Sequence, residues 1–129
     1  MRITNLFTAV LLLVSASAFA DVPLNQSDIL GTWQIDKESL QSDGSKSRSL
    51  NSTWTFKSDG TIEGISQESD AHARVESLRA ILNYSLEDGK LLKQAAPGRS
   101  KIETCVAIEK ENKRMVLKCQ AIYFFMTKK

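Results

Sequence analysis

Few residues in this chain are of a type that does chemistry: one histidine, His72, two cysteines, Cys105 and Cys119, and carboxylates scattered without a repeating pattern. A Ser-His-Asp relay would have to use His72, and no strand-to-helix elbow of the G-x-S-x-G kind presents a serine to it. The cysteines stand fourteen positions apart instead of in C-x-x-C, and no second histidine joins them, which argues against zinc. No D-x-D-x-D-G loop offers oxygens to calcium, and no glycine-rich loop cradles a phosphate. These residues are read as belonging to a binding protein: not an enzyme, with no catalytic residue, no metal and no cofactor.

The elements that must position any binding residues begin after a leader. MRITNLFTAVLLLVSASAFA, residues 1–20, has Arg2, an apolar run from Ala9 to Val14, and Ala18 and Ala20 bracketing Phe19. That is the pattern of a cleaved secretory signal peptide, and its apolar core is shorter than the roughly 20 residues that cross a bilayer. The expected location is the periplasm or the extracellular medium, with no membrane span once the leader is removed. Residues 21–129 suffice for one small domain and not for two. Lys and Arg number 17 against 15 Asp and Glu, and this near-neutral balance lacks the basic face that nucleic acid requires.

Alternation of period two, punctuated by Gly and Asp, dominates this part and predicts antiparallel β structure. In Leu30 to Lys37, Gly31, Trp33 and Ile35 share one face. A Ser-rich stretch from Gln41 to Asn51 reads as a long loop. In STWTFKSDGTIEG, a turn at Ser58-Asp59-Gly60 that sets Phe56 opposite Ile62 also sets Trp54 opposite Gly64, where a glycine leaves room for an indole. YSLEDGKLL reads as a hairpin with Asp88-Gly89 in a type I′ turn, pairing Glu87 with Lys90 and Leu86 with Leu91. Ala71, Val75, Leu78 and Leu82 recur at helical spacing, so Asp70 to Leu78 is read as a short helix, with an irregular strand as its competitor. Ile102 to Glu109 and Arg114 to Met126 follow, the second long enough to bend and serve two sheet regions. The fold class is all-β: an up-and-down antiparallel barrel of seven or eight strands with one short helix, since closure removes exposed edges. A sandwich is the alternative.

Gly31-Thr32-Trp33 at the start of the first strand resembles the lipocalin superfamily. Trp54-Thr55-Phe56, then Ser58-Asp59-Gly60-Thr61, then Tyr84 with Asp88-Gly89-Lys90-Leu91, follow in the order seen in compact bacterial lipocalin-like domains. The resemblance implies an eight-stranded barrel over residues 29–129, open at one end, holding a small hydrophobic molecule or meeting another protein. It makes Gly31 and Trp33 structural, with Trp33 packed across the closed end. The chain departs from typical lipocalins in being shorter, in lacking a T-D-Y element, and in offering no arginine after Arg114 to lie over the tryptophan.

Two functional readings follow. In the first, the barrel carries a small apolar ligand, with Trp54, Phe56, Tyr84, Tyr123 and Arg79 as its candidate contacts. Arg74 and Arg99 also lie in or beside predicted connections, where a barrel mouth would be. In the second, it is an inhibitor or interaction module for a protein partner of the protease or lysozyme inhibitor type. Its N-terminal arm, residues 21–28, would then be held extended by Pro23.

The two cysteines bracket Val106 to Lys118. A hairpin around Asn112 puts Cys105 opposite Cys119 and Ala107 opposite Leu117. Directly paired antiparallel residues lie about 4.5 to 5.5 Å apart at Cα, within the roughly 4.4 to 6.8 Å that a disulfide accepts. In an oxidising compartment such a pair is expected to be bridged.

Overall fold

Along β1 (Gly31–Ser39) the alternation seen in the sequence becomes burial: Trp33 and Ile35 are fully enclosed, and Thr32 and Gln34 take the opposite face. A computed structural model describes residues 21–67 and 77–129 of the chain. A short helix, α1 (Gln26–Ile29), precedes β1. The other strands are β2 (Ser47–Phe56), β3 (Thr61–Gln67), β4 (Ser77–Glu87), β5 (Lys90–Gln94), β6 (Ile102–Glu111), β7 (Arg114–Cys119) and β8 (Ile122–Lys128). Each pairs antiparallel with its neighbour in sequence, and β8 returns to β1, so the sheet closes into an up-and-down barrel. Closure leaves no free edge, and a two-sheet sandwich is excluded. Among the described residues no helix is long and apolar enough to cross a membrane.

Turn chemistry sets the registers. Phe56 pairs with Ile62 and Trp54 with Gly64, around a turn where the Asp59 carboxylate accepts hydrogen bonds from the Thr61 backbone N–H at 3.0 Å and hydroxyl at 2.6 Å. Leu86 pairs with Leu91 and Glu87 with Lys90, with Asp88 and Gly89 both at positive φ as a type I′ turn demands. Gly89 has a second duty, because a Cβ there would lie 3.0 Å from Pro23 of the N-terminal segment.

Two expectations are corrected, and a third lies mostly outside the described residues. The polar stretch from Gln41 to Asn51 is a shorter loop than its composition implies, because Ser47 to Asn51 begin β2. Ser47, Arg48 and Ser49 pair with Ser39, Glu38 and Lys37, the part of β1 beyond a bulge between Ile35 and Lys37, and these three β2 residues are exposed, so no apolar alternation is needed in them. The segment from Arg114 to Met126 is not one bent strand but a hairpin, β7 and β8, with Cys119 opposite Ile122. Gln120, at φ 58°, makes that turn without Gly, Asn or Asp to announce it. The helix expected over Asp70 to Leu78 falls mostly outside the described residues, but Ser77 and Leu78 are strand residues that open β4.

Cys105 and Cys119 are disulfide-bonded, with Cα atoms 4.2 Å apart. A turn centred on Asn112 is not what aligns them. Glu111 pairs with Arg114 around Asn112-Lys113, and the register then slips by one at Ile108, so that Ala107 meets Leu117 and Cys105 meets Cys119. One bulged residue therefore brings both sulfurs to the inner face.

Residues 21–28, expected to form an extended arm, are engaged by the barrel. The Val22 N–H donates to the Ala107 carbonyl at 2.8 Å, the Leu24 N–H donates to Gly89 at 2.9 Å, and Leu24 is buried. Asp28 pairs with Lys110 at 2.9 Å. The Asn25 backbone N–H, 2.8 Å away, and the Lys110 ammonium hold the Asp28 carboxyl below the usual carboxylate range.

Candidate functional site

The barrel interior divides into a packed half and a half with space. At the packed end Ile29 of α1 is buried in the core, and the buried Trp33 indole N–H donates to its carbonyl at 2.9 Å. Lys128 lies over the Trp33 ring, 5.8 Å from its centroid. A cation of the last strand thus occupies the place where the sequence offered no arginine. Gly31 makes room for it, since a Cβ there would sit 3.2 Å from the Lys128 Cε. Phe56 and Tyr84 stack edge to face at 5.3 Å, and the Tyr84 hydroxyl donates to the Lys57 carbonyl at 2.7 Å.

Toward the other end a cavity of about 280 Å³ opens. Trp54 of β2 forms one wall, with Ile62, Gly64 and Ser66 of β3 beside it. Leu78, Ala80 and Leu82 of β4 form the facing wall, and Lys93 of β5 closes the ring. Period two explains the set: Leu78, Ala80 and Leu82 alternate with Arg79 and Ile81, which face away. A Cβ at Gly64 would lie 3.7 Å from Trp54 Cδ1, an ordinary contact, so what this glycine supplies is cavity volume. A larger concavity of about 420 Å³ is a surface groove beside the N-terminal segment, lined in part by Asn25, Gln26 and Ser85. The smaller site is the more apolar and the less open of the two, with the exposed Leu78 at its rim.

Lys93 is the unusual member of the wall. Only 6% of it is exposed; its ammonium lies 2.7 Å from the Glu103 carboxylate and 5.5 Å from the centre of the Trp54 ring. The two charged residues are directly opposed on β5 and β6, and both occupy inward positions, in step with Leu91 and Cys105. A cation so far from water is tolerable only when paired, and the indole face adds a second favourable contact.

The expected ligand contacts separate. Trp54 lines the cavity. Phe56 and Tyr84 do not line it: Phe56 packs edge-on behind Trp54 and against Tyr84, and Tyr84 borders the surface groove instead. Arg79 faces outward and is ion-paired with Glu63, which also has Lys57 at 3.8 Å. Tyr123 sits on the outer face opposite Lys118, whose ammonium is 5.6 Å from its ring centre, while Phe124 turns inward and packs against Trp54 at 5.1 Å. Arg99 lies in the turn after β5, where its carbonyl accepts from the Gln94 side chain at 2.9 Å. His72 and Arg74 lie outside the described residues. Lys93, Glu103 and the β4 wall were not singled out from the sequence. The alternation Leu91, Lys93 and Glu103, Cys105 was the available signal, but a charged residue at such a position reads as solvent-facing.

Glu103, Cys105 and Cys119 are the one cluster of three metal-ligating types among the described residues, with their donor atoms within 4.8 Å of one another. Both sulfurs are committed to the disulfide, so this cluster offers no thiolate to a metal.

No protein-family model matches the sequence, and no curated protein is significantly similar to it. Among solved structures, a lipocalin-like protein from Bacteroides uniformis superposes with a TM-score of 0.61 at 16% identity, over 79% of this chain and 99% of that one. The chain thus has a lipocalin-like fold.

Proposed function

We propose that this protein is an exported, non-enzymatic binding protein that holds a small hydrophobic ligand in the open half of its barrel. The cavity walled by Trp54, Ile62 and the β4 side chains carries the reading. Its volume of about 280 Å³ lies near the lower end of the ~300–1,000 Å³ typical of ligand sites. At ~30 Å³ for each water-sized group, it suits a molecule of about nine or ten non-hydrogen atoms. The leader at residues 1–20 supports export to the periplasm or beyond, and an oxidising compartment is also where the Cys105–Cys119 bridge persists. Capture of a protein partner by a free N-terminal arm has less support, because Val22, Leu24 and Asp28 are held by the barrel.

The test is extraction of the protein purified from its own host, followed by mass spectrometry. A small apolar molecule should accompany the wild type and be missing from Gly64→Leu, whose side chain enters the cavity while the barrel still folds. An empty wild-type barrel, or the same molecule recovered from both proteins, would remove the proposal. Export is tested by mass analysis of the mature protein, which should begin at Asp21.

A further inference from the structure

An apolar cavity needs no charged residue in its wall, yet Lys93 lines this one, flanked by Trp54 and bonded to Glu103, which stands beside it outside the lining. Burying the Lys93 ammonium, even with the half-buried Glu103 carboxylate as its partner, costs more than burying an apolar residue of similar volume, so the pair is not explained by stability alone. Its chemistry restricts what lies beside it. A ligand carboxylate near Lys93 would also lie near Glu103, and attraction to one charge is offset by repulsion from the other. The carboxylate would still have given up its hydration. A ligand ammonium meets the mirror-image problem, since Glu103 and the Trp54 face already serve Lys93. An uncharged oxygen suffers neither penalty. The lysine ammonium has three N–H donors, and Glu103 does not exhaust them.

We propose that the Lys93–Glu103 pair makes the cavity selective for uncharged amphiphiles carrying one hydrogen-bond-accepting oxygen, such as medium-chain alcohols and ketones. Glu103 is then the specificity-determining residue that turns away the corresponding carboxylates. This rests on the cavity being the ligand site. Lys93 donates to the ligand oxygen at the polar end, while Ile62, Ala80 and Leu82 surround the hydrocarbon.

The experiment is calorimetric titration of octanol, octanoate and octylamine into the full mature protein at pH 7. Wild type should bind octanol about tenfold or more tightly than either charged probe, because neither recovers its desolvation cost at a neutralised pair. Glu103→Gln leaves Lys93 without its counter-charge, so octanoate should overtake octanol. Should that variant fail to fold, Lys93→Met/Glu103→Gln removes both charges. It should bind octanol about tenfold more weakly than wild type, having lost the donor, and still reject octanoate. Octanoate binding to wild type as tightly as octanol, an unchanged order in Glu103→Gln, or undiminished octanol binding in the double variant would each overturn the charge filter while leaving the carrier reading standing. Failure of every probe to bind wild type would bring down both.

Discussion

Replacing Cys105 and Cys119 together by alanine tests how much of the barrel depends on the cross-strand staple. The bridge spans a sequence separation of 14, which closes a loop of fifteen residues in the unfolded chain. Constraining a loop of that length is worth about 3 kcal/mol in the chain-entropy treatment. In a domain of this size 1 kcal/mol shifts the melting temperature by roughly 4 °C or more. The variant should therefore melt about 12 °C or more below wild type, with near-native circular dichroism at low temperature because the other strand pairs are untouched. Both positions are fully enclosed, so the lost sulfur packing adds to the effect. Thermal melts of wild type, wild type in dithiothreitol and the variant, alongside thiol titration of the native protein, make the measurement. Wild type should show no free thiol and should fall toward the variant on reduction. A variant melting within about 4 °C of wild type, or a reductant effect that persists in the variant, would refute the loop-closure argument.

The closed end supports three further expectations. Gly31→Ala places a Cβ at φ +110° and 3.2 Å from Lys128 Cε, and should cost about 1–3 kcal/mol in denaturant unfolding. Trp33→Phe leaves the buried Ile29 carbonyl without its donor and should cost about 1–3 kcal/mol, with octanol binding at the other end unchanged by calorimetry. Asp28 has a depressed carboxyl pKa, so its contribution is present above its unfolded value near 3.9 and is lost as pH falls through the lower folded value. Asp28→Asn should therefore be less stable than wild type by about 1 kcal/mol at pH 7, and denaturant midpoints of the two should converge as pH falls through the lowered folded value.

How much of this was legible depended on whether local chemistry named the turns. Asp88-Gly89 and Ser58-Asp59-Gly60 are turn formers, and from them the pairings of Leu86 with Leu91 and Trp54 with Gly64 follow by counting. At Gln120-Ala121 no such signal exists, and the consequence was a change of face. Tyr123, Phe124 and Phe125 are consecutive aromatics, and only the position of that turn decides that Phe124 meets Trp54 while Tyr123 faces out. The cysteine pairing was legible although its route was not, since a bulge at Ile108 absorbs the residue by which the Asn112-Lys113 turn differs from a symmetrical one. The sequence places Arg79 beside an expected connection, where a mouth would be, whereas the strand begun at Ser77 turns it outward to Glu63. Nothing local in the sequence marks Lys93 as buried; its partner, Glu103, is supplied by the pairing of β5 with β6.

The central claim, that the space beneath Trp54 is a ligand site, is tested most directly by titrating octanol into isotopically labelled protein and following its NMR resonances. Saturable shifts should appear at Trp54, Gly64, Ala80 and Lys93, which line the cavity, and be small at Trp33 and Leu24 in the closed end. Gly64→Leu should abolish them. Shifts that fail to saturate, or that gather on the outer face around Arg79 and Tyr123, would contradict the claim.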